Sequence, residues 1–163
     1  GEESGRWLSQ AIGDDCRLVF IPDDEIRPCD PRYAAPGDRT SFTDGFPLLL
    51  ISQASLDDLN RRLAQPVEMR RFRPNLVVAG VEPYAEDNWQ RIRVGEIEMR
   101  GVKPCSRCAI PAVDPDTGIV SGLEPLRTLS AYRKRNNKIY FGQNLAHNGH
   151  GSLCVGDLVT KLE

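Results

Sequence analysis

The run Lys103-Pro104-Cys105-Ser106-Arg107-Cys108 is the part of this 163-residue sequence best equipped for chemistry. Positive charge beside a cysteine favours the thiolate, and thiolates bind soft metals or attack electrophiles, so Cys105 or Cys108 is a candidate ligand or nucleophile. The bland alternative is a pair of small buried hydrophobes at a strand end. Just downstream, Val113-Asp114-Pro115-Asp116-Thr117-Gly118 has the proline and closing glycine of a turn and reads as scaffold.

Two further constellations compete or combine with it. His147, His150 and Cys154 could join Cys105 and Cys108 in a zinc site, because structural zinc usually takes two closely spaced ligand pairs. The glycines and Asn148 around the histidines fit a solvated turn equally well. A thioredoxin-like redox pair fits poorly, since the Cys-x-x-Cys follows a hairpin and does not open a helix. The other cationic signal is Arg70-Arg71-Phe72-Arg73-Pro74-Asn75 leading into Leu76-Val77-Val78. Arg73 offers a rigid fork for bidentate phosphate contact and Asn75 an amide donor and acceptor, both held at the lip of a strand by Pro74. A solubilising basic face at a strand end is the competing reading.

The elements that must position these groups are mostly strands. Glycine (14) and proline (12) punctuate short apolar runs, not long helical ones. Leu18 to Ile21, Leu48 to Ile51, Leu76 to Val81, Ile92 to Met99, Ala112 to Val113, Lys138 to Phe141 and Leu153 to Leu162 each read as β, with Gly95-Glu96 turning the fourth into a hairpin. Three short helices are expected. The first buries Trp7, Leu8 and Ala11-Ile12 with Ser4 as its cap; the second is capped by Ser55 and carries Leu56, Leu59 and Leu63 until Pro66; the third starts at Pro125 and turns Leu126, Leu129 and Tyr132 inward. Pro22 to Phe46 is too long and polar for a plain connector. The fold class is therefore mixed and mainly β, a small barrel or sandwich, with residues 1–46 as an N-terminal helix, strand and irregular segment and 47–163 as the β domain.

Composition bounds the function. A chain that is 40% hydrophobic and 27% charged builds a core, and a net charge of −2 with interspersed signs argues against a nucleic-acid partner. The longest apolar runs are far shorter than the ~20 residues of a membrane span. Five widely spaced cysteines do not look like a secreted disulfide framework and suit a reducing cytosol. The absence of an initiator Met suggests that something upstream of Gly1 is missing.

Taken in order, Phe72-Arg73-Pro74-Asn75, Tyr84-Ala85-Glu86-Asp87-x-Trp89, Cys105-Ser106-Arg107-Cys108 with Val113-Asp114-Pro115-x-Thr117-Gly118, Phe141-Gly142-Gln143 and Val155-Gly156-Asp157 resemble the MOSC domain family. More narrowly, the chain is similar to the amidoxime-reducing members and their bacterial relatives, and Ser52-x-x-Ser55-Leu56-x-x-Leu59-Asn60 extends the likeness over most of its length. The resemblance implies a strand-rich, barrel-like MOSC domain binding molybdenum cofactor (Mo-molybdopterin), with Cys108 as the thiolate on molybdenum. It places Ser106 and Arg107 on the pterin or phosphate, Arg73 and Asn75 on the cofactor from the opposite loop, and Asn144, Asp44 and Gly45 as weaker contacts. It implies reduction of small N-oxygenated substrates, amidoximes and hydroxylamines, with electrons from an external haem, flavin or iron-sulfur protein. The expected location is the bacterial cytoplasm, or the cytosol-facing side of the mitochondrion in a eukaryote. Family members usually carry a further N-terminal β region that touches the cofactor, and some bacterial ones a C-terminal ferredoxin-like domain; the resemblance therefore leaves the pocket half built within these 163 residues. Two rivals stand beside it, a sulfur-carrier or cofactor-delivery MOSC module using Cys108 or Cys105, and a zinc-stabilised binding domain.

Overall fold

Leu50 and Ile51, neighbours in one strand, belong to different hydrophobic clusters, because successive strand residues point to opposite faces of a sheet. That division organises the molecule, a computed structural model describing residues 1–120, 122–147 and 149–163. Helix α1 (Glu2–Ile12) ends at Gly13 in the left-handed region (φ 80), and its N-cap is Gly1, not Ser4. Trp7 and Ile12 are exposed. Leu18 to Ile21, expected as a strand, is unpaired among the described residues, and Leu18, Val19 and Phe20 are exposed. An apolar run becomes a strand only where a neighbour completes its ladder.

Strands β1 (Arg27–Pro28) and β2 (Arg39–Thr40) form a small antiparallel ribbon. This segment buries Cys29, Asp38 and Thr40, and Arg100 donates to the Asp38 carboxylate at 2.6 and 2.7 Å. The Cys29 thiol is pushed up, first by burial and then by Asp38.

The main sheet contains β3 (Leu48–Ser52), β4 (Leu76–Val78), β5 (Arg91–Val94), β6 (Ile97–Ser106), β7 (Lys134–Arg135), β8 (Lys138–His147) and β9 (Val159–Lys161). Its order is β4-β3-β8-β6-β5-β9, with β7 on β8, curling into a nearly closed barrel. The Gly95-Glu96 hairpin joins β5 and β6 as expected. β3 and β4 pair in parallel, which demands a crossover, and α2 (Gln53–Arg62) supplies it. The Ser52 hydroxyl, not Ser55, caps α2 by accepting from Ser55 N at 3.1 Å. Ser55 is buried and donates instead to Glu86 Oε1 at 2.7 Å.

Between Gln143 and Tyr140, β8 spends three steps where β6 spends two from Pro104 to Ser106. The extra residue makes a bulge, and Gly142 at φ 85 takes the left-handed conformation it needs. A Cβ there would lie 2.6 Å from Ile51 Cγ1, so the close approach also requires glycine. The bulge lets Phe141 enter the cluster of Ile51, Leu56, Leu59, Phe72 and Leu129 while Leu145 joins Leu50, Trp89, Ile92 and Met99. Helices α2 and α3 (Leu126–Arg133) cover the first cluster; in α3 Leu129 is fully buried and Leu126 and Tyr132 are half-buried. No helix among the described residues is long and apolar enough to cross a membrane.

Candidate functional site

At the end of β6 the Arg107 amide donates to Ile139 O at 2.8 Å, and the chain then leaves the sheet. The Arg107 side chain turns inward. Its Nη2 donates to Phe72 O at 2.8 Å, Nη1 lies 3.3 Å from Cys105 Sγ, and the guanidinium sits 5.5 Å from the Phe72 ring centre. One arginine thus joins the two loops that stood apart as motifs in the sequence. Arg107 Nε is buried with no hydrogen-bond partner among the described residues, and an orphaned charged donor of this kind is costly unless a ligand accepts from it. Cys108, the next residue, is exposed as a free thiol.

Beyond Cys108 the chain makes a single 3₁₀ turn (Ile110–Ala112), then bridges Val113 to Val120. Asp114 Oδ1 accepts from the amides of Asp116 and Thr117 and from the Thr117 hydroxyl, closing the turn read as scaffold. Those Thr117 hydrogen bonds, more than the nearby Arg71, hold the Asp114 carboxyl below its usual range.

The facing loop is the 3₁₀ turn Met69–Phe72. Phe72 is fully buried with its ring 4.4 Å from that of Phe141, which fixes the loop in place. Arg73 follows at φ 55 and ψ 46, a left-handed conformation unusual for a non-glycine residue and a mark of local strain. Its exposed side chain makes no hydrogen bond or ion pair among the described residues. Arg71, which the sequence did not single out, donates to Val113 O at 2.9 Å and to Asp114 Oδ2 at 2.8 Å, while Arg70 pairs with Asp116. Only the cluster of arginines signalled this clamp; its targets are about 40 residues away in sequence.

The remaining candidates divide. Asn75 exchanges two hydrogen bonds with the backbone of Leu49, both at 2.9 Å, one through its own amide and one through Oδ1. Leu49 pairs with Asn144, and Asn144 with Lys103, whose carbonyl accepts from Asn144 Nδ2 at 3.3 Å. Asn75 and Asn144 therefore flank one row across the sheet, with half of each amide already engaged. Ser106 is exposed at the strand end. Asp44 and Gly45 lie in the turn before β3, where Arg27 gathers the carbonyls of Ser41, Thr43 and Asp44; no hydrogen bond or ion pair among the described residues links this turn to residues 105–108.

An open apolar groove of about 660 Å³ is lined by Cys108 together with Ile110, Val113, Val120, Leu123, Leu126 and Ile139. Zinc does not fit: no three or more His, Cys, Asp or Glu converge among the described residues, and His147 Nδ1 is engaged with Gly149 O at 3.0 Å. The donor set fits a phosphate-bearing cofactor with a soft metal better. Among the described residues it offers one exposed thiol, one exposed guanidinium without a partner, and one buried guanidinium nitrogen without an acceptor.

Comparison with known proteins places the chain among molybdenum-cofactor-related sequences. The MOSC domain model matches residues 37–160. The chain is 39% identical over 175 residues to mitochondrial amidoxime-reducing component 1 of Homo sapiens, covering 99% of the chain and 52% of that protein. It is 36% identical over 172 residues to mitochondrial amidoxime-reducing component 1 of Danio rerio, covering 99% of the chain and 53% of that protein. Molybdenum cofactor sulfurase of Oryza sativa subsp. japonica is 39% identical over 154 residues, 83% of the chain and 18% of that protein. The chain spans about half the length of its amidoxime-reducing relatives.

Proposed function

We propose, for a chain that belongs to the MOSC domain family, that Cys108 ligates the metal of a molybdenum cofactor and that the parent protein reduces N-hydroxylated compounds such as amidoximes and hydroxylamines. The bound metal centre supplies the two-electron chemistry that, with two protons, converts N–OH to N–H and releases water. The chain's own residues hold and orient. Arg107 Nε and the Arg73 fork take phosphate or pterin oxygens, Ser106 and the free half of the Asn75 amide add neutral hydrogen bonds, and Cys108 presents its sulfur at the surface where substrate arrives. The electrons come from an external haem, flavin or iron-sulfur protein.

The observation that carries this reading is the Arg107 to Phe72 hydrogen bond, which places the Cys108 loop against the Arg73 loop with a buried donor left over. A second reading, sulfur handling at Cys108 or Cys105, is favoured by the match to the rice sulfurase. Replacement of Cys108 by Ser in the full-length protein separates them, because a hydroxyl is a harder ligand than a thiolate. We expect Cys108→Ser to abolish reduction of an amidoxime with fold retained, Cys105→Ser to be much milder, and the wild type to contain molybdenum and pterin. A wild type carrying persulfide and turning over no N-hydroxy compound would establish the sulfur-handling reading instead.

A further inference from the structure

Val120 and Leu123, 61% and 73% exposed, line the same groove as Cys108 as aliphatic walls. With Ile110, Val113, Leu126 and Ile139 they form the open groove that Cys108 also lines. Its polar members, Ser130 and Arg127, each make a hydrogen bond within the fold. The Ser130 hydroxyl donates to Arg127 O at 2.7 Å, and Arg127 Nε donates to Glu124 at 2.7 Å on the rim. The groove thus offers a ligand apolar surface and almost no hydrogen bonds, in a volume typical of small-molecule sites.

We propose that this groove seats the apolar part of the molecule that reacts beside Cys108, and that Val120 and Leu123 set the preference of the site for N-hydroxy compounds carrying a ring or short alkyl chain over small polar ones. The inference rests on the reduction proposed above. The occupant is a small molecule and not a protein segment, because the groove has the volume of a small-molecule site and Cys108 is itself among its lining residues. A compound with its N–OH group at Cys108 extends naturally along the wall that removes its hydrocarbon from water. Selection by such a wall is graded: each added apolar group multiplies the preference, and a small polar compound loses nothing by its absence.

Two arms test this separately from the reaction. In the cofactor-free full chain, labelling of Cys108 by N-phenylmaleimide and by iodoacetamide is followed by peptide mass mapping, with exposed Cys154, which does not line the groove, as internal reference. The phenyl reagent should favour Cys108 over Cys154 by about tenfold relative to iodoacetamide, since a ring in an apolar slot commonly gains that factor. Leu123→Asp and Val120→Asp should each remove the preference, and Leu123→Met should keep it. Equal ratios at the two cysteines, or a preference that survives both aspartates, overturn the inference. In the loaded full-length protein, the kcat/KM ratio of benzamidoxime to hydroxylamine should fall by a similar factor in both aspartate variants. An unchanged ratio overturns the inference and leaves the reaction standing. Absence of turnover with either compound overturns the reaction, and the labelling arm then decides the groove alone.

Discussion

Arginines cluster around Tyr84 and around Phe72, and the two clusters differ in how fully they are matched. Near Tyr84 every cation is matched. Arg133 grips Asp87 with Nη2 at 2.8 and 2.6 Å, donates to Tyr140 O, and lies 4.3 Å from the Tyr84 ring centre. Asp58 collects Arg61, Arg62 and the Tyr84 hydroxyl, and Arg62 stacks 4.3 Å from the Tyr132 ring centre. The hydrogen bond from Arg62 above all holds the Asp58 carboxyl down to about 2, and burial pushes the Tyr84 phenol up. Around Phe72, Arg107 keeps one nitrogen buried and unmatched, and Arg73 keeps its whole fork in solvent on a strained backbone. The first region spends its cations on the fold; the second spends Arg70 and Arg71 there and leaves Arg73 and one Arg107 nitrogen unmatched among the described residues. What sets the second region apart is the unmatched cation, since a left-handed residue and a buried atom without a partner occur in both among the described residues.

The largest effect should come from the residue that serves both regions. Phe72→Ala removes a fully buried ring stacked on Phe141 and the floor under Arg107, and should cost about 3–5 kcal/mol in urea unfolding together with all cofactor retention. Retained cofactor in a folded variant would show that the Arg107 anchor does not depend on Phe72. Arg133→Ala strands Asp87, whose side chain is 13% exposed, and should cost about 3 kcal/mol with cofactor retention unchanged in whatever remains folded. Asp58→Asn is smaller, about 2 kcal/mol at neutral pH. Because the folded Asp58 titrates near 2, below its ordinary 3.8, its contribution is complete above about pH 4 and disappears as pH falls toward 2. Wild-type and Asp58→Asn stability curves should therefore converge over that interval, and a constant gap down to pH 2 would contradict the assignment. Arg73→Ala should change stability by no more than about 0.5 kcal/mol, as an exposed side chain without partners does, while lowering molybdenum occupancy of the full-length protein. A destabilised variant with full occupancy would move Arg73 into the first region.

What could be read from the sequence was local or periodic. The β5–β6 hairpin followed from alternation across Gly95-Glu96, and the apolar face of α2 from Leu56 and Leu59. The start of α2 was misplaced by three residues because both Ser52 and Ser55 are good caps, and only the Glu86 carboxylate, 31 residues away, decides which hydroxyl is free. Leu153 to Leu162 shortened to Val159–Lys161, and Lys138 to Phe141 lengthened to His147, since strand limits depend on the partner. Cys108, Arg73 and Asn75 were visible as residue types in motifs. The Arg71 clamp on Val113 and Asp114 and the Asp38–Arg100 anchor were not, because an ion pair between distant segments leaves no periodic trace. Asp44 and Gly45 stood out by motif position alone, and their turn is organised around Arg27.

The position of β8 has a bearing on how the protein is made. This strand lies between β3 and β6 in the sheet, yet it follows both in the chain. A polypeptide emerging from the ribosome holds β3 with β4 and β5 with β6 as two separate pairs, each too small to persist in water, until Lys138–His147 arrives to fasten them. The Arg73 loop adjoins one pair and the Cys108 loop the other. A nascent chain ending just before Lys138 would contain Arg73, Asn75, Ser106, Arg107 and Cys108 but not Asn144 or Ile139, with no sheet to hold the two halves together.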